Sequence, residues 1–158
     1  MPEKDVEARS RRKAPEGARF RRPSAELVAR AARRTVRGGR ATFGSLAAFR
    51  EAVRSSLRQD EPLATIGAER LRRLLVDIPG VRLSVRYTER PDGPLPRRCP
   101  VCRSELEPIR NRTLTGETIE LGRQCPKCAY WTHAARRVPV RYVVSGGERR
   151  EHLTRRRS

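Results

Sequence analysis

Two copies of Cys-Pro-x-Cys, Cys99-Pro-Val-Cys102 and Cys125-Pro-Lys-Cys128, hold all four cysteines of the chain. Each copy sets two thiols on one tight turn, so both sulfurs reach a single ion, and two such turns complete the tetrahedron that Zn²⁺ prefers. The 22 residues between Cys102 and Cys125 are enough for an outgoing strand, a turn and a returning strand. The spacing therefore predicts a long-hairpin zinc ribbon with Cys99, Cys102, Cys125 and Cys128 on one Zn²⁺. Two disulfides or two redox-active pairs are the competing readings. Nothing resembles a signal peptide or a thioredoxin-like βαβ context, so a reducing, cytoplasmic setting is expected.

Four thiolates fill the coordination shell and leave no position for a water, which predicts a structural ion in place of a catalytic one. His133, five residues past Cys128, is an alternative ligand, with a surface position at a strand end as its plainer reading. His152 sits in an arginine-rich tail and is expected to be solvated. With two histidines and no further cysteine, nucleophile and base pairs have little to draw on, and no enzyme activity is expected.

The formal net charge is +19 on 158 residues, with 34 Arg and 3 Lys (Lys4, Lys13, Lys127). A chain so basic seeks polyanions, because neutralising phosphates releases condensed counterions. Nucleic acid is the expected partner, although a GC-rich genome also enriches arginine. An anionic membrane surface is the rival polyanion; no apolar run is long enough to span a bilayer. Residues 1–40 carry net +8, residues 41–98 +4, residues 99–135 +1 and residues 136–158 +6. The charge thus lies mostly at the two ends, around a nearly neutral ribbon.

Residues 1–23 have almost nothing to bury and read as a basic N-terminal arm. From the N-cap Ser24 a helix is predicted to about Arg37, stopping at Gly38-Gly39. Leu27, Val28, Ala31, Ala32 and Val36 share one face, with Arg30, Arg33, Arg34 and Arg37 opposite, a cationic amphipathic helix suited to a phosphate backbone. A second helix follows Gly44-Ser45, with a Leu46, Phe49, Val53 and Leu57 stripe beside an Arg50, Arg54 and Arg58 ridge, and ends at Asp60-Glu61-Pro62. A third is predicted over Gly67 to Ile78 before Pro79-Gly80. The period then changes to two: Val81, Leu83, Val85 and Tyr87 alternate with Arg82, Ser84, Arg86 and Thr88, a half-buried strand.

Residues 24–90 form this helical region and its strand, and residues 91–135 the ribbon. Within the ribbon, Leu106 and Ile109 lead to a turn at Thr115-Gly116-Glu117, Ile119 and Leu121 return, and Ala129 to Thr132 supply a third strand. Residues 136–147 alternate again at Val138, Val140, Tyr142 and Val144, mirroring the strand before the ribbon, so the two strands are candidates to pair. Residues 148–158 form a basic tail with Arg155, Arg156 and Arg157. Tyr130 and Trp131 divide between two roles, a cover for the small core and a ring for an unstacked base; Trp131 is carried as a nucleic-acid contact. The fold class expected is α+β, a small helical region with a short sheet and a zinc ribbon between basic extensions.

The pair Cys99-Pro-Val-Cys102 and Cys125-Pro-Lys-Cys128 resembles the zinc ribbons of archaeal and eukaryotic ribosomal proteins, transcription factors and RNA-polymerase subunits. Helices ahead of a four-cysteine ribbon in an arginine-rich chain are similar in layout to the zinc-ribbon subunit of archaeal ribonuclease P, from which the Val81–Thr88 strand departs. The resemblance implies an RNA-binding component of a ribonucleoprotein particle, with rRNA and ribosomal proteins as partners. The alternative is a DNA-binding regulator with Gly67–Ile78 as recognition helix and Val81–Thr88 as part of a wing.

Overall fold

Ser24 starts the first helix as its position predicts: its hydroxyl accepts from the Leu27 N–H at 3.1 Å, and Glu26 sits in the first turn, where the helix dipole favours an acid. The computed structural model describes residues 20–37 and 41–147. Most of the expected N-terminal arm, the Gly38-Gly39 stop, and the tail with Arg155, Arg156 and Arg157 lie outside the described residues. Helix α1 (Ala25–Val36) buries Val28, Ala31, Ala32 and Val36. A short strand β1 (Thr42–Phe43) follows; two residues are too few to show a period, and the sequence gives no sign of it. Helix α2 (Leu46–Asp60) is capped by the Ser45 hydroxyl, which accepts from the Ala48 N–H at 3.2 Å, and it buries Phe49, Val53 and Leu57.

Arg34 locks α1 to α2. Its Nη2 donates to Asp60 Oδ2 at 2.5 Å and to the Ser56 carbonyl at 3.0 Å, and its Nε donates to Ser56 Oγ at 3.1 Å. The hydrogen bond from Arg34 holds the Asp60 carboxyl below its ordinary range. Helix α3 spans Ala68–Leu75, shorter than the predicted Gly67 to Ile78. Pro79 disfavours helical geometry at Ile78, and the chain beyond Leu75 splits its side chains: Ile78 stays in the helical core, while Val76 turns to the cysteine cluster.

Strand β2 (Val81–Arg90) pairs antiparallel with β6 (Arg136–Gly146), so the two strands bracketing the cysteines do come together, and β1 adds to the far edge of β6. Between them, β3 (Glu107–Arg112), β4 (Thr118–Gln124) and β5 (Trp131–Thr132) make a second antiparallel sheet in the order β3-β4-β5. The architecture is α+β with two hydrophobic clusters. One joins the three helices to Val81 and Val144; the other surrounds the cysteines and takes in Leu83, Val85, Tyr87 and Tyr142 from the first sheet. Leu83 touches both. The chain ahead of α1 is also tied down: the Arg21 N–H donates to the Leu63 carbonyl at 3.0 Å, and the Thr65 N–H donates to the Arg21 carbonyl at 3.2 Å. Among the described residues, no helix is long and apolar enough to cross a membrane.

Gly122 is the tightest point of the ribbon. It faces Ile109 beside a bulge, and a Cβ there would lie 2.0 Å from the Thr132 carbonyl oxygen. Only glycine lets β4 approach β5 so closely. Gly122→Ala is expected to destabilise the protein by about 3 kcal/mol, measured as a lower urea midpoint with loss of amide protection at Thr132. An unchanged midpoint would show that β5 is not held against β4.

Candidate metal centre

The two Cys-Pro-x-Cys turns fold alike. The Val101 N–H donates to Cys99 Sγ at 3.4 Å, and the Lys127 N–H donates to Cys125 Sγ at 3.4 Å, so each turn aims a backbone dipole at its first sulfur. The β3–β4 hairpin brings the turns face to face: Cys99 and Cys128 sulfurs lie 3.5 Å apart, and those of Cys102 and Cys125 lie 3.4 Å apart. All four ligand atoms fall within 4.8 Å of one another. A tetrahedral thiolate site with metal–sulfur bonds of about 2.3 Å has edges of about 3.8 Å, so the four cysteines can hold one metal ion. All four are free thiols, separated by far more than the about 2.05 Å of a disulfide.

The charge balance asks for a cation. A hydrogen bond from Cys128 brings the Cys99 thiol down to about 5, while burial pushes the Cys125 thiol up to about 11. The hydrogen bond to Cys99, followed by burial, drives the Cys128 thiol far above its ordinary value. The pocket stabilises one thiolate and resists the others, as expected where several like charges share a half-buried site. A bound metal ion would supply the missing positive charge.

The packing around the sulfurs explains which aromatic does what. Tyr130 is 1% exposed, packs its ring 5.6 Å from that of Tyr87, and donates its hydroxyl to the Arg137 carbonyl at 2.9 Å. It is the cover of the core. Trp131 alternates outward and is 42% exposed. The Arg137 guanidinium lies 4.2 Å from the Trp131 ring centre and 4.5 Å from that of Tyr87, a cation held between two rings that joins the ribbon to β2 and β6. His133 rests edge-on to Trp131 at 4.7 Å, outside the sulfur cluster. Sequence reasoning missed Arg137, and alternation could not have found it: counted back from the cluster-facing Tyr142 it falls on the other side of β6, and only the register shift that skips Val140 turns it toward Tyr87.

The arginines singled out from the sequence separate into engaged and open groups. Arg30, Arg33 and Arg37 are exposed on α1, with Arg30 4.0 Å from Glu26. Arg34 is taken up by Asp60 and Ser56. Arg50 and Arg54 are half-buried and both reach Glu51, at 3.8 and 2.9 Å, whereas Arg58 is exposed. The structure therefore leaves Arg33, Arg37 and Arg58 open, sets Arg30 in a long exposed pair with Glu26, and builds Arg34 into the fold.

Arg103, directly after the first turn, has φ 69°, the sole left-handed residue other than glycine among the described residues. It also reaches Glu69 of α3 at 3.3 Å. A side chain in that region costs roughly 1–2 kcal/mol. Arg103→Gly and Arg103→Ala both lose the ion pair, so the glycine variant is expected to be more stable than the alanine variant by about 1 kcal/mol in chemical denaturation; equal stability would refute the strain. Metal removal is expected to reach beyond the ribbon, because Val85, Tyr87 and Tyr142 pack on the sulfur cluster. Hydrogen exchange after chelation should show β3, β4, β5 and the adjoining halves of β2 and β6 deprotected while α1 and α2 keep their protection. Retained protection across β2 and β6 would show the two clusters to be independent.

No protein-family profile, curated protein or solved structure matches the chain, so what the centre and its surroundings do rests on their own residues.

Proposed function

We propose that the chain is an RNA-binding component of a ribonucleoprotein particle, with the ribosome and rRNA as first candidates, and that its four cysteines hold one structural Zn²⁺. The identity of the ion follows from the donor set, since four thiolates in a tetrahedron suit zinc and complete its shell with no position left for a substrate. A closed shell supports a fold-stabilising, non-enzymatic role.

The observation that carries the RNA reading is the surplus of unpaired cations on a small body. Of the 24 arginines among the described residues, eight lie within 4.0 Å of a carboxylate in the same set, leaving sixteen without one. Unpaired guanidinium groups repel one another and are stabilised when a polyanion lies among them.

One observation favours a second reading, a DNA-binding regulator. Helices α2 and α3 run consecutively into the β2–β6 pair, the layout of a helix-turn-helix followed by a wing, with the ribbon carried between the wing strands. The side chains of α3 count against it. Arg70 donates to the Pro23 carbonyl at 2.6 Å, Arg72 donates to the Tyr142 hydroxyl at 3.1 Å, and Glu69 receives both Arg73 and Arg103. Every polar residue of α3 is thus engaged within the chain, whereas a recognition helix needs such groups for base edges.

Cross-linking in cells followed by sequencing of the bound nucleic acid separates the readings. Recovery dominated by RNA, with rRNA foremost, is the expected outcome; recovery of discrete duplex DNA sites would overturn the RNA reading in favour of the second. Elemental analysis is expected to find one zinc per chain, and a protein that folds reduced and metal-free would sink the zinc assignment.

A further inference from the structure

Resting on the RNA reading above, we infer that the outer face of the β1–β6–β2 sheet is the surface that receives the RNA, and that it binds the backbone of a duplex. The inner row of this sheet, Val81, Leu83, Val85 and Tyr87 with Tyr142 and Val144, is spent on the two hydrophobic clusters. Alternation, reset on β6 by the one-residue register shift opposite the Arg86–Tyr87 step, puts the intervening residues on the other side. There β2 presents Arg82, Arg86 and Arg90, and β6 presents Arg136 and Arg141. No outward position on either strand is acidic.

The pairing register sharpens the point. Arg86 stands directly across from Arg141, and Arg90 directly across from Arg136. All four are exposed. Like charges directly opposite each other on one face destabilise a sheet, and an alternating strand offers many neutral choices at such positions. Two opposed arginine pairs in one ladder are accounted for by an anion that lies over both. None of Arg82, Arg86, Arg90, Arg136 and Arg141 is within 4.0 Å of a carboxylate among the described residues. Arg141 is oriented by donating Nε to the Gly44 carbonyl at 3.0 Å, which leaves its terminal nitrogens for a ligand.

The rest of the face says what kind of polyanion fits. From Arg82 to Arg90 the cationic row extends about 27 Å at about 3.4 Å per residue. The outward residues between the arginines are Ser84, Thr88 and Ser145, with Val138 and Val143 and the exposed, unpaired Val140; both tyrosines of these strands point inward. Without an outward aromatic the face has no ring on which to stack a splayed base, which sets it apart from sheets that read single strands. The β2–β6 pair is backed along its inner row by the two hydrophobic clusters, so it cannot sink into the major groove of B-DNA as a free helix or two-stranded ribbon does. The wide, shallow minor groove of A-form RNA offers phosphates for guanidinium forks and 2′-hydroxyls for serine and threonine.

The test uses the full chain, a short RNA duplex of arbitrary sequence and the DNA duplex of the same sequence. Arg86→Gln with Arg90→Gln removes one member of each opposed pair, and Arg110→Gln with Arg112→Gln removes equal charge from the β3–β4 hairpin. The sheet variant is expected to melt higher than the parent, because repulsion is relieved, yet to bind the RNA duplex at least roughly tenfold more weakly. Its plot of log affinity against log salt should flatten by about 1.8, at about 0.9 per lost phosphate contact. Arg86→Lys with Arg90→Lys should restore the slope, since the charges remain. Equal losses in the sheet and hairpin variants, or an unchanged slope in the sheet variant while the parent binds RNA, would overturn the assignment of this face. Tighter parental binding to the DNA duplex or to anionic vesicles would overturn its assignment to RNA. A parent that binds no RNA at all would instead remove the functional reading on which the inference stands.

Discussion

The antiparallel pairing of β2 with β6 carries the rest of this structure. Val81 lies opposite Gly146 and Arg90 opposite Arg136, so one ladder closes a long excursion of chain that contains the whole ribbon. Closing such a loop costs entropy that grows only slowly with its length. The inner row of the ladder offsets that cost by serving two clusters: Val81 and Val144 seal the helices, Val85, Tyr87 and Tyr142 back the cysteines, and Leu83 touches both. The four-cysteine cluster is therefore fastened at its root to the sheet, and the Arg137 guanidinium between Tyr87 and Trp131 fastens it again at the rim.

The ribbon shows how a small core makes strict local demands. Few apolar residues back the sulfurs, so geometry substitutes for bulk. Gly122 is needed because β4 and β5 approach too closely for a Cβ, and Arg103 accepts a left-handed backbone to turn the chain out of the first cysteine pair. Arg103 then reaches Glu69 on α3, and Val76 at the end of α3 enters the cysteine cluster. The third helix is thus docked against the metal module, and its polar side chains are used in holding that position.

Arginine performs three distinct tasks here. Arg34 binds two helices together through Asp60 and Ser56, Arg137 fills the space between two rings, and the outward row on β2 and β6 presents cations that nothing within the described residues neutralises. The guanidinium group suits all three because it is planar, permanently charged and rich in donors. Which task a given arginine performs depends on what lies within a few ångströms of it, and a net charge carries no such information.

Local pattern determined a good deal of this protein. The paired Cys-Pro-x-Cys turns announced the four-cysteine cluster because ligand spacing is a property of the chain itself, and Ser24 and Ser45 announced helix starts because a cap acts within three residues. The apolar stripes of α1 and α2 and the alternation of β2 were likewise legible, since period reveals which face is buried, whereas on β6 the period held only for Tyr142 and Val144: the register shift turns Val138 outward and leaves Val140 61% exposed. The early end of α3 was not, because Val76 leaves the helix for a cluster made by residues far along the chain. Nor was the fate of Arg34, whose partners stand 22 and 26 positions away. The opposition of Arg86 to Arg141 and of Arg90 to Arg136 was settled by register alone, with a bulge between Arg86 and Tyr87 that alternation does not announce. Sequence decides which side of a regular strand faces outward; only the tertiary structure decides where a bulge resets that side, as on β6, and which charges then face each other, because pairing joins residues that the chain keeps far apart.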